Sequence, residues 1–143
     1  MVSIGRSLML GAVVGGMLAA ASAQADDTPS PCRALKRIVS VAPNFSSLSA
    51  LDGRPIALVY GDDAECVASQ NNYVCSWTPR GRSSADALQG VAADIAACLP
   101  DATHDQNSAA RQHFYMGARG ARTEITASQA GDNKLKLEIF GSR

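Results

Sequence analysis

Four cysteines constrain the fold of this 143-residue chain more than any other feature of its sequence. All four, Cys32, Cys66, Cys75 and Cys98, follow an N-terminal segment with the pattern of a secretory signal. An even number of cysteines in an exported protein indicates disulfides, and these spacings fit neither a zinc knuckle nor a C-x-x-C redox pair. The sequence therefore predicts two disulfides, for which three connectivities are open.

A predicted hairpin selects one of these connectivities. Two strand-like runs, residues 64–68 and 73–77, flank a turn-forming tetrapeptide. A four-residue loop between them places Cys66 opposite Cys75, within reach of a disulfide. The remaining pair, Cys32–Cys98, joins the start of one predicted helix to the end of another, and two antiparallel helices bring those ends together.

Residues 1–25 predict a signal peptide. A short basic region precedes an apolar run over residues 8–21, and two A-x-A motifs allow cleavage after Ala23 or Ala25. The run is short and diluted by glycine, which disfavours an uncleaved membrane anchor. We therefore expect a periplasmic or secreted protein with a Sec-type signal and one small domain over residues 26–143, without membrane attachment after cleavage.

The charge balance argues against two classes of partner. The full chain carries 13 Lys and Arg and 13 Asp and Glu, and the signal contains one of the basic residues and none of the acidic ones. The mature domain is therefore nearly neutral, with one more acidic residue than basic. Nucleic acids and anionic membranes both attract basic surfaces, so neither is an expected partner.

Two helices are predicted on one side of a sheet. In the stretch Ser83–Pro100, Ser83 or Ser84 can cap a helix that proline ends. Apolar residues recur there at helical spacing, namely Leu88, Val91, Ala92, Ile95, Cys98 and Leu99. An earlier helix is predicted over about residues 31–42, with Ser30 as its cap.

Six strands complete the prediction. They are an apolar run at residues 55–60, the two hairpin strands, and three C-terminal runs at residues 112–118, 121–127 and 133–140. Residues 44–53 and 101–110 are expected to be connectors. The order α-β-β-β-α-β-β-β predicts an α+β domain with a single antiparallel sheet and two helices packed on one face.

The apolar residues of the three C-terminal runs suggest a register. A tight turn pairs Phe114 with Ile125, and a five-residue loop then pairs Ile125 with Leu135. In this register Glu124 faces Lys136 and Arg122 faces Glu138 on the opposite, polar face. Apolar and charged pairs agree, which favours this alignment.

The polar face of the sheet is the predicted binding surface. Its candidate contact residues are Tyr115, His113, Glu124, Lys136 and Arg122. Tyr115 flanked by charges can act as an interface hot spot. The alternative is an ordinary water-facing sheet, which has similar composition.

Motifs for catalysis, metals or cofactors are missing. His104 and His113 have no partners at ligand spacing, and the sequence contains no nucleophile elbow, phosphate-binding loop or dinucleotide fingerprint. Four bridged cysteines leave no thiolate nucleophile. We therefore expect no metal and no cofactor, although Arg80 and Arg82 beside the second helix could bind an anion.

These observations favour an exported, non-enzymatic protein-interaction module, for example one of the inhibitor or immunity type, with an unknown protein partner. The first alternative is a small-ligand or anion-binding protein that uses a pocket between the helices and the sheet. The second is a small hydrolase that combines His104 or His113 with a nearby carboxylate.

Overall fold

The computed structural model describes residues 30–81 and 83–142, so the predicted signal peptide and Arg82 lie outside the described residues. Within these residues the chain forms three helices and six strands. They are α1 (Pro31–Ser40), α2 (Ala50–Tyr60), β1 (Gly61–Ala68), β2 (Asn72–Pro79), α3 (Ser84–Cys98), β3 (Thr103–Asn107), β4 (Arg111–Met116), β5 (Arg122–Gln129) and β6 (Leu135–Ser142).

The strands form one antiparallel sheet in the order β1-β2-β6-β5-β4-β3. Helix α2 packs on β1 and β2, α3 packs on β4 and β5, and α1 bridges the two helices. The core between these layers includes Trp77, Phe114, Ile125 and Leu137, all of them buried. The predicted α+β class with a single antiparallel sheet is confirmed.

Both predicted disulfides are present. Cys32–Cys98, here called the longer disulfide because it closes the longer loop of the chain, joins α1 to the end of α3 with its Cα atoms 5.4 Å apart. Cys66–Cys75, the hairpin disulfide, links directly opposed residues of β1 and β2, whose Cα atoms are 4.1 Å apart. All four cysteines fall within the described residues and none is free.

The strand predicted at residues 55–60 is wrong, because this run is the second half of helix α2. Ser49 caps the helix: its side chain accepts a hydrogen bond from Leu51 N (3.2 Å), while the Asp52 carboxylate accepts one from Ser49 N (2.7 Å). This reciprocal capping box starts the helix at Ala50, five residues before the apolar run begins, so the run alone does not reveal the helix. The domain therefore has three helices where two were predicted.

Tyr73 on β2 fixes the start of α2 against the sheet. The side chain is buried, and its hydroxyl accepts a hydrogen bond from Gly53 N (2.7 Å) and donates one to the Ser49 carbonyl (2.7 Å). A regular helix would join Gly53 N directly to that carbonyl four residues earlier. The tyrosine oxygen therefore takes the place of the first helical hydrogen bond.

Residues 103–107, predicted as part of a polar connector, form the edge strand β3 instead. Every residue of β3 is exposed, so the strand lacks the apolar alternation by which a sequence indicates a strand. The prediction of six strands is thus correct in number, but one predicted strand is a helix and one predicted connector is a strand.

The predicted register is right for one strand pair and wrong for the next. Phe114 lies opposite Ile125, as predicted, but Ile125 pairs with Ile139 rather than Leu135. Strand β5 continues to Gln129, and the turn that follows contains Gly131 with a φ of 101°. The resulting shift of four residues is even, so the apolar side chains stay on the core face.

Candidate functional site

One face of the sheet, here called the open face, has no helix packed on it within the described residues. Its side chains alternate along the strands with the core residues. On β2, β6, β5 and β4 they are Asn72, Val74, Ser76, Lys136, Glu138, Phe140, Arg122, Glu124, Thr126, Ser128, Arg111, His113 and Tyr115. Most are partly exposed, and Val67 of β1, which pairs with Val74, is 60% exposed.

The imidazole of His113 lies between two carboxylates on the open face. Its Nδ1 is 2.5 Å from Asp105 Oδ1, and its Nε2 is 3.1 Å from Glu124 Oε1. The pairing of β3 with β4 shifts between His104 and Gln106, so Asp105 is the extra residue of a bulge. The bulge is what presents this carboxylate to His113.

This arrangement limits what His113 can do. A neutral imidazole has one N–H and donates to one carboxylate, whereas a protonated imidazole donates to both. Because both ring nitrogens face carboxylates, His113 is not free to take a proton from a substrate in this conformation. Asp105 and Glu124 lie at opposite ring nitrogens and cannot converge with the ring on one ion. Among the described residues, no group of His, Cys, Asp and Glu could hold a metal.

Glu124 has an aromatic residue beside it on each neighbouring strand. In the sheet, Glu124 lies opposite Tyr115 on one side and opposite Phe140 on the other. The guanidinium of Arg122 stacks on the Tyr115 ring, with its Cζ 4.3 Å from the ring centroid. Such a cation–π contact contributes about 0.5–1 kcal/mol at an exposed site and holds both side chains in place.

Two covered polar atoms beside this cluster have no hydrogen-bond partner in the described part of the chain. They are Nε of Arg122 and Oγ1 of Thr126. Thr126 is buried and lies opposite both His113 and Glu138. A partner reaches these two atoms only if the neighbouring side chains move.

All five predicted contact residues lie on the open face, and four of them form one cluster, namely Tyr115, His113, Glu124 and Arg122. Lys136 is separate from them, because it lies opposite Ser76 and Ser128. The predicted oppositions of Glu124 with Lys136 and of Arg122 with Glu138 are wrong for the same reason: the β5–β6 register differs by four residues.

The sequence-based site missed two residues. Phe140 follows Glu138 by two positions, so strand alternation alone would have placed it on this face. Asp105 gave no comparable signal, because it belongs to a fully polar strand and faces the cluster only through a bulge.

Other candidate groups are engaged elsewhere. Arg80 forms an ion pair with Asp62 (2.8 Å) and donates to the carbonyls of Leu58 (3.2 Å) and Gly61 (2.9 Å), so it closes the end of α2 and does not favour an anion site. His104 stacks on Phe114 with ring centroids 4.1 Å apart. Neither histidine lines the cavities found within the described residues.

Comparison with protein-family models, with curated proteins and with solved structures finds no match. In the described part of the chain, no helix is long and apolar enough to cross a membrane. The two disulfides are compatible with a secreted or periplasmic protein.

Proposed function

We propose that this protein is an exported, non-enzymatic interaction module that binds a partner protein through the open face. The observation that carries the proposal is an uncovered sheet face on which the stacked pair Tyr115–Arg122 and the aromatic ring of Phe140 lie close together, towards one end of the strands. Tyrosine, arginine and phenylalanine are the side chains in which protein interfaces are enriched.

The shape of the open face favours a protein over a small molecule. A small ligand needs a concave site that covers most of its surface, whereas a pleated sheet face offers a broad and shallow one. The exposed Val67 and its neighbour Val74 extend the apolar part of the face towards β1.

The charges on the open face can orient such a partner. Glu65, Glu124 and Glu138 lie on the same face as Arg111 and Lys136, and both signs are spread across the strands. Mixed charges of this kind contribute mainly to specificity and to the rate of association. A partner with the complementary pattern would dock in one orientation.

The edge strand β3 is a second, weaker element of the proposed surface. All of its side chains are exposed, and its outer edge can add a strand from another chain. The bulge at Asp105 interrupts that edge, and bulges are one means by which edge strands avoid unwanted pairing. The face of the sheet is therefore the primary docking surface in this proposal.

Export is the second half of the proposal. Residues 1–25 have the pattern of a Sec-type signal with cleavage after Ala23 or Ala25, and the two disulfides suit the periplasm or the extracellular space. An inhibitor or an immunity-type protein that binds an exported enzyme is a concrete version of this function.

Alanine variants of the mature, oxidised protein test the docking surface. Tyr115→Ala removes the aromatic ring of the stacked pair, and we expect the affinity for the partner captured from periplasmic extract to fall about 30-fold, the loss typical of a hot spot. Lys136→Ala removes one charge from the same face, so it should weaken binding only a few-fold and mainly slow association.

Lys36→Ala is the matched control, because Lys36 is an exposed lysine on α1, away from the open face. Tyr115→Ala also loses the cation–π contact with Arg122 and should unfold a few degrees lower than the parent protein. Binding is therefore compared at a temperature at which all three variants are folded, which separates lost binding from lost folding. Capture by Tyr115→Ala that equals capture by Lys36→Ala would refute the proposed surface. Sedimentation of the purified protein tells whether the partner is instead a second copy of the chain.

A further inference from the structure

A cavity on the other side of the sheet, here called the helical cavity, lies between α1, α2 and α3. It has a volume of about 360 Å³, and its floor is Leu137 of β6. Small-molecule sites in proteins typically measure roughly 300–1,000 Å³. The longer disulfide, Cys32–Cys98, lines one side and ties two of the three walls together, so the cavity is held in shape before any ligand binds.

The lining of the helical cavity is almost entirely apolar. Ile56 and Val59 come from α2, and Val91 and Ile95 come from α3. Val59 is 54% exposed, so the apolar surface continues from the cavity to the outside. Apolar side chains that stay accessible around a concave site are typical of ligand pockets.

Among the described residues, one charged residue lines the helical cavity, and it is negative. Asp94 is an exposed residue of α3, so its carboxylate lies at the rim. Tyr60 donates a hydrogen bond to Asp94 Oδ2 (2.8 Å), and Oδ1 has no hydrogen-bond or ion-pair partner among the described residues. Burial and the neighbouring carboxylate of Asp94 raise the pKa of Tyr60, so its hydroxyl stays a neutral donor and holds the carboxylate in place.

We propose that the helical cavity binds a small amphipathic organic cation, with its apolar body between the helices and its ammonium group at Asp94. Charge decides the class of ligand, because the lining residues that the structure describes include no Lys, Arg or His that would attract an anion. The Tyr60 ring beside the carboxylate offers a second attraction for a cation. This site is independent of the open face and of its protein partner.

The free energy of binding is divided unequally between the two parts of the ligand. Transfer of the apolar body from water supplies most of the affinity, in proportion to the area buried. The exposed carboxylate adds the contribution of a surface ion pair, which corresponds to about a two- to fivefold preference for a cation. The cavity should therefore bind neutral analogues as well, but less tightly.

Three probes with the same chain and different head groups test the proposal: octylammonium, 1-octanol and octanoate, each below the concentration at which it aggregates. The chain that begins at Asp26 is titrated with each probe, and the methyl resonances of Val91 and Ile95 report binding. We expect octylammonium to bind two- to fivefold more tightly than octanol, and octanoate to bind least tightly. Octanoate that binds as tightly as octylammonium, or no shift at these methyls, would overturn the proposal.

Substitutions separate the carboxylate from the cavity. Asp94→Asn should reduce octylammonium binding to the level of octanol, whereas Asp86→Asn, an exposed position at the other end of the same helix, should leave it unchanged. Ala97→Trp places an indole at the rim and should abolish the binding of all three probes. Equal effects of the two asparagine variants, or full binding by Ala97→Trp, would contradict the assignment.

A shorter chain tests another occupant, the segment that precedes Ser30 at the mouth of the cavity. Protein that begins at Ser30 should bind octylammonium with the same affinity as protein that begins at Asp26. A gain of tenfold or more in the shorter chain would mean that the N-terminal segment fills the cavity, and the proposed ligand would be wrong.

Discussion

Replacing Tyr73 by phenylalanine removes one oxygen atom from the junction between β2 and α2. The ring is 1% exposed, and a phenylalanine ring would fill the same space. The hydroxyl joins Gly53 N to the Ser49 carbonyl through two hydrogen bonds of 2.7 Å. The substitution therefore tests how much these two bonds contribute, with little change in packing.

The expected loss of stability follows from the burial of these groups. A typical hydrogen bond contributes about 0.5–1.5 kcal/mol net, and a buried donor left without a partner costs about 1–3 kcal/mol. The hydrogen bond from Gly53 N to the Tyr73 hydroxyl is buried, so its loss falls in the second class. We expect Tyr73→Phe to lower the free energy of unfolding by about 2 kcal/mol.

Urea unfolding of the mature, oxidised protein measures this loss, with the fluorescence of the single tryptophan, Trp77, as the probe. With a slope of about 1–3 kcal/mol per molar urea for a small protein, a loss of this size lowers the midpoint by about 1 M. Tyr115→Phe is the control, because its hydroxyl has no hydrogen bond within the described residues. Equal midpoints for the two variants would mean that α2 closes its own first hydrogen bond and that the reasoning is wrong.

Three further predictions use the same urea titration. Replacing both cysteines of the longer disulfide by alanine should lower the free energy of unfolding by about 4.4 kcal/mol, and replacing those of the hairpin disulfide by about 2.7 kcal/mol. The difference follows from the lengths of the loops that the two disulfides close. A larger loss for the hairpin disulfide would contradict this entropic account. Burial raises the pKa values of Tyr60 and Tyr73 in the folded protein. Above about pH 10 the tyrosines of the unfolded chain ionise while the folded ones stay neutral, so the free energy of unfolding is constant below that pH and falls above it. For the partly exposed Tyr60 this fall in the free energy of unfolding amounts to roughly 1 kcal/mol between pH 9 and 11. A Tyr60→Phe variant whose stability falls with pH as steeply as that of the parent protein would refute this prediction. Gly53→Ala would place a Cβ 2.8 Å from Cys75 Sγ and against the Tyr73 ring, so it should cost about 2 kcal/mol although alanine is the better helix former; a stabilised variant would contradict the packing.

The elements that could be predicted from the sequence are those whose signals are local and redundant. Helix α3 has a capping serine, a regular apolar stripe and a terminating proline, and its predicted stripe is buried. In the hairpin, the length of the turn alone sets the pairing of Cys66 with Cys75. Cys32 and Cys98 could then pair only with each other. In both cases several independent features favour the same structure.

The errors come from segments where burial and local signals disagree. The apolar run in α2 resembles a strand, and the capping box that starts the helix lies before it, at Ser49 and Asp52. Strand β3 has no buried residue, so it forms because β4 offers a free edge rather than because of its own pattern. The β5–β6 register depends on where the turn falls, and two alignments that differ by four residues bury the same side chains.

The candidate site, like the fold, could be predicted only where the signal was local. Alternation along β4 and β5 placed His113, Tyr115, Arg122 and Glu124 on one face without any knowledge of the register with β6. Lys136 lies on the predicted face, but its predicted partner Glu124 was wrong, because the partner depends on that register. The helical cavity had no sequence signal, since it arises where three helices fail to fill the space above Leu137.

Photo-cross-linking tests the central claim, that the open face is the docking surface, most directly. A benzoylphenylalanine replaces Tyr115 in one version of the exported protein and the exposed Ala93 on α3 in another, and both are irradiated in intact cells. The account predicts a single covalent adduct with one other protein from position 115 and none from position 93. Adducts from position 93 alone, or none from position 115, would contradict it.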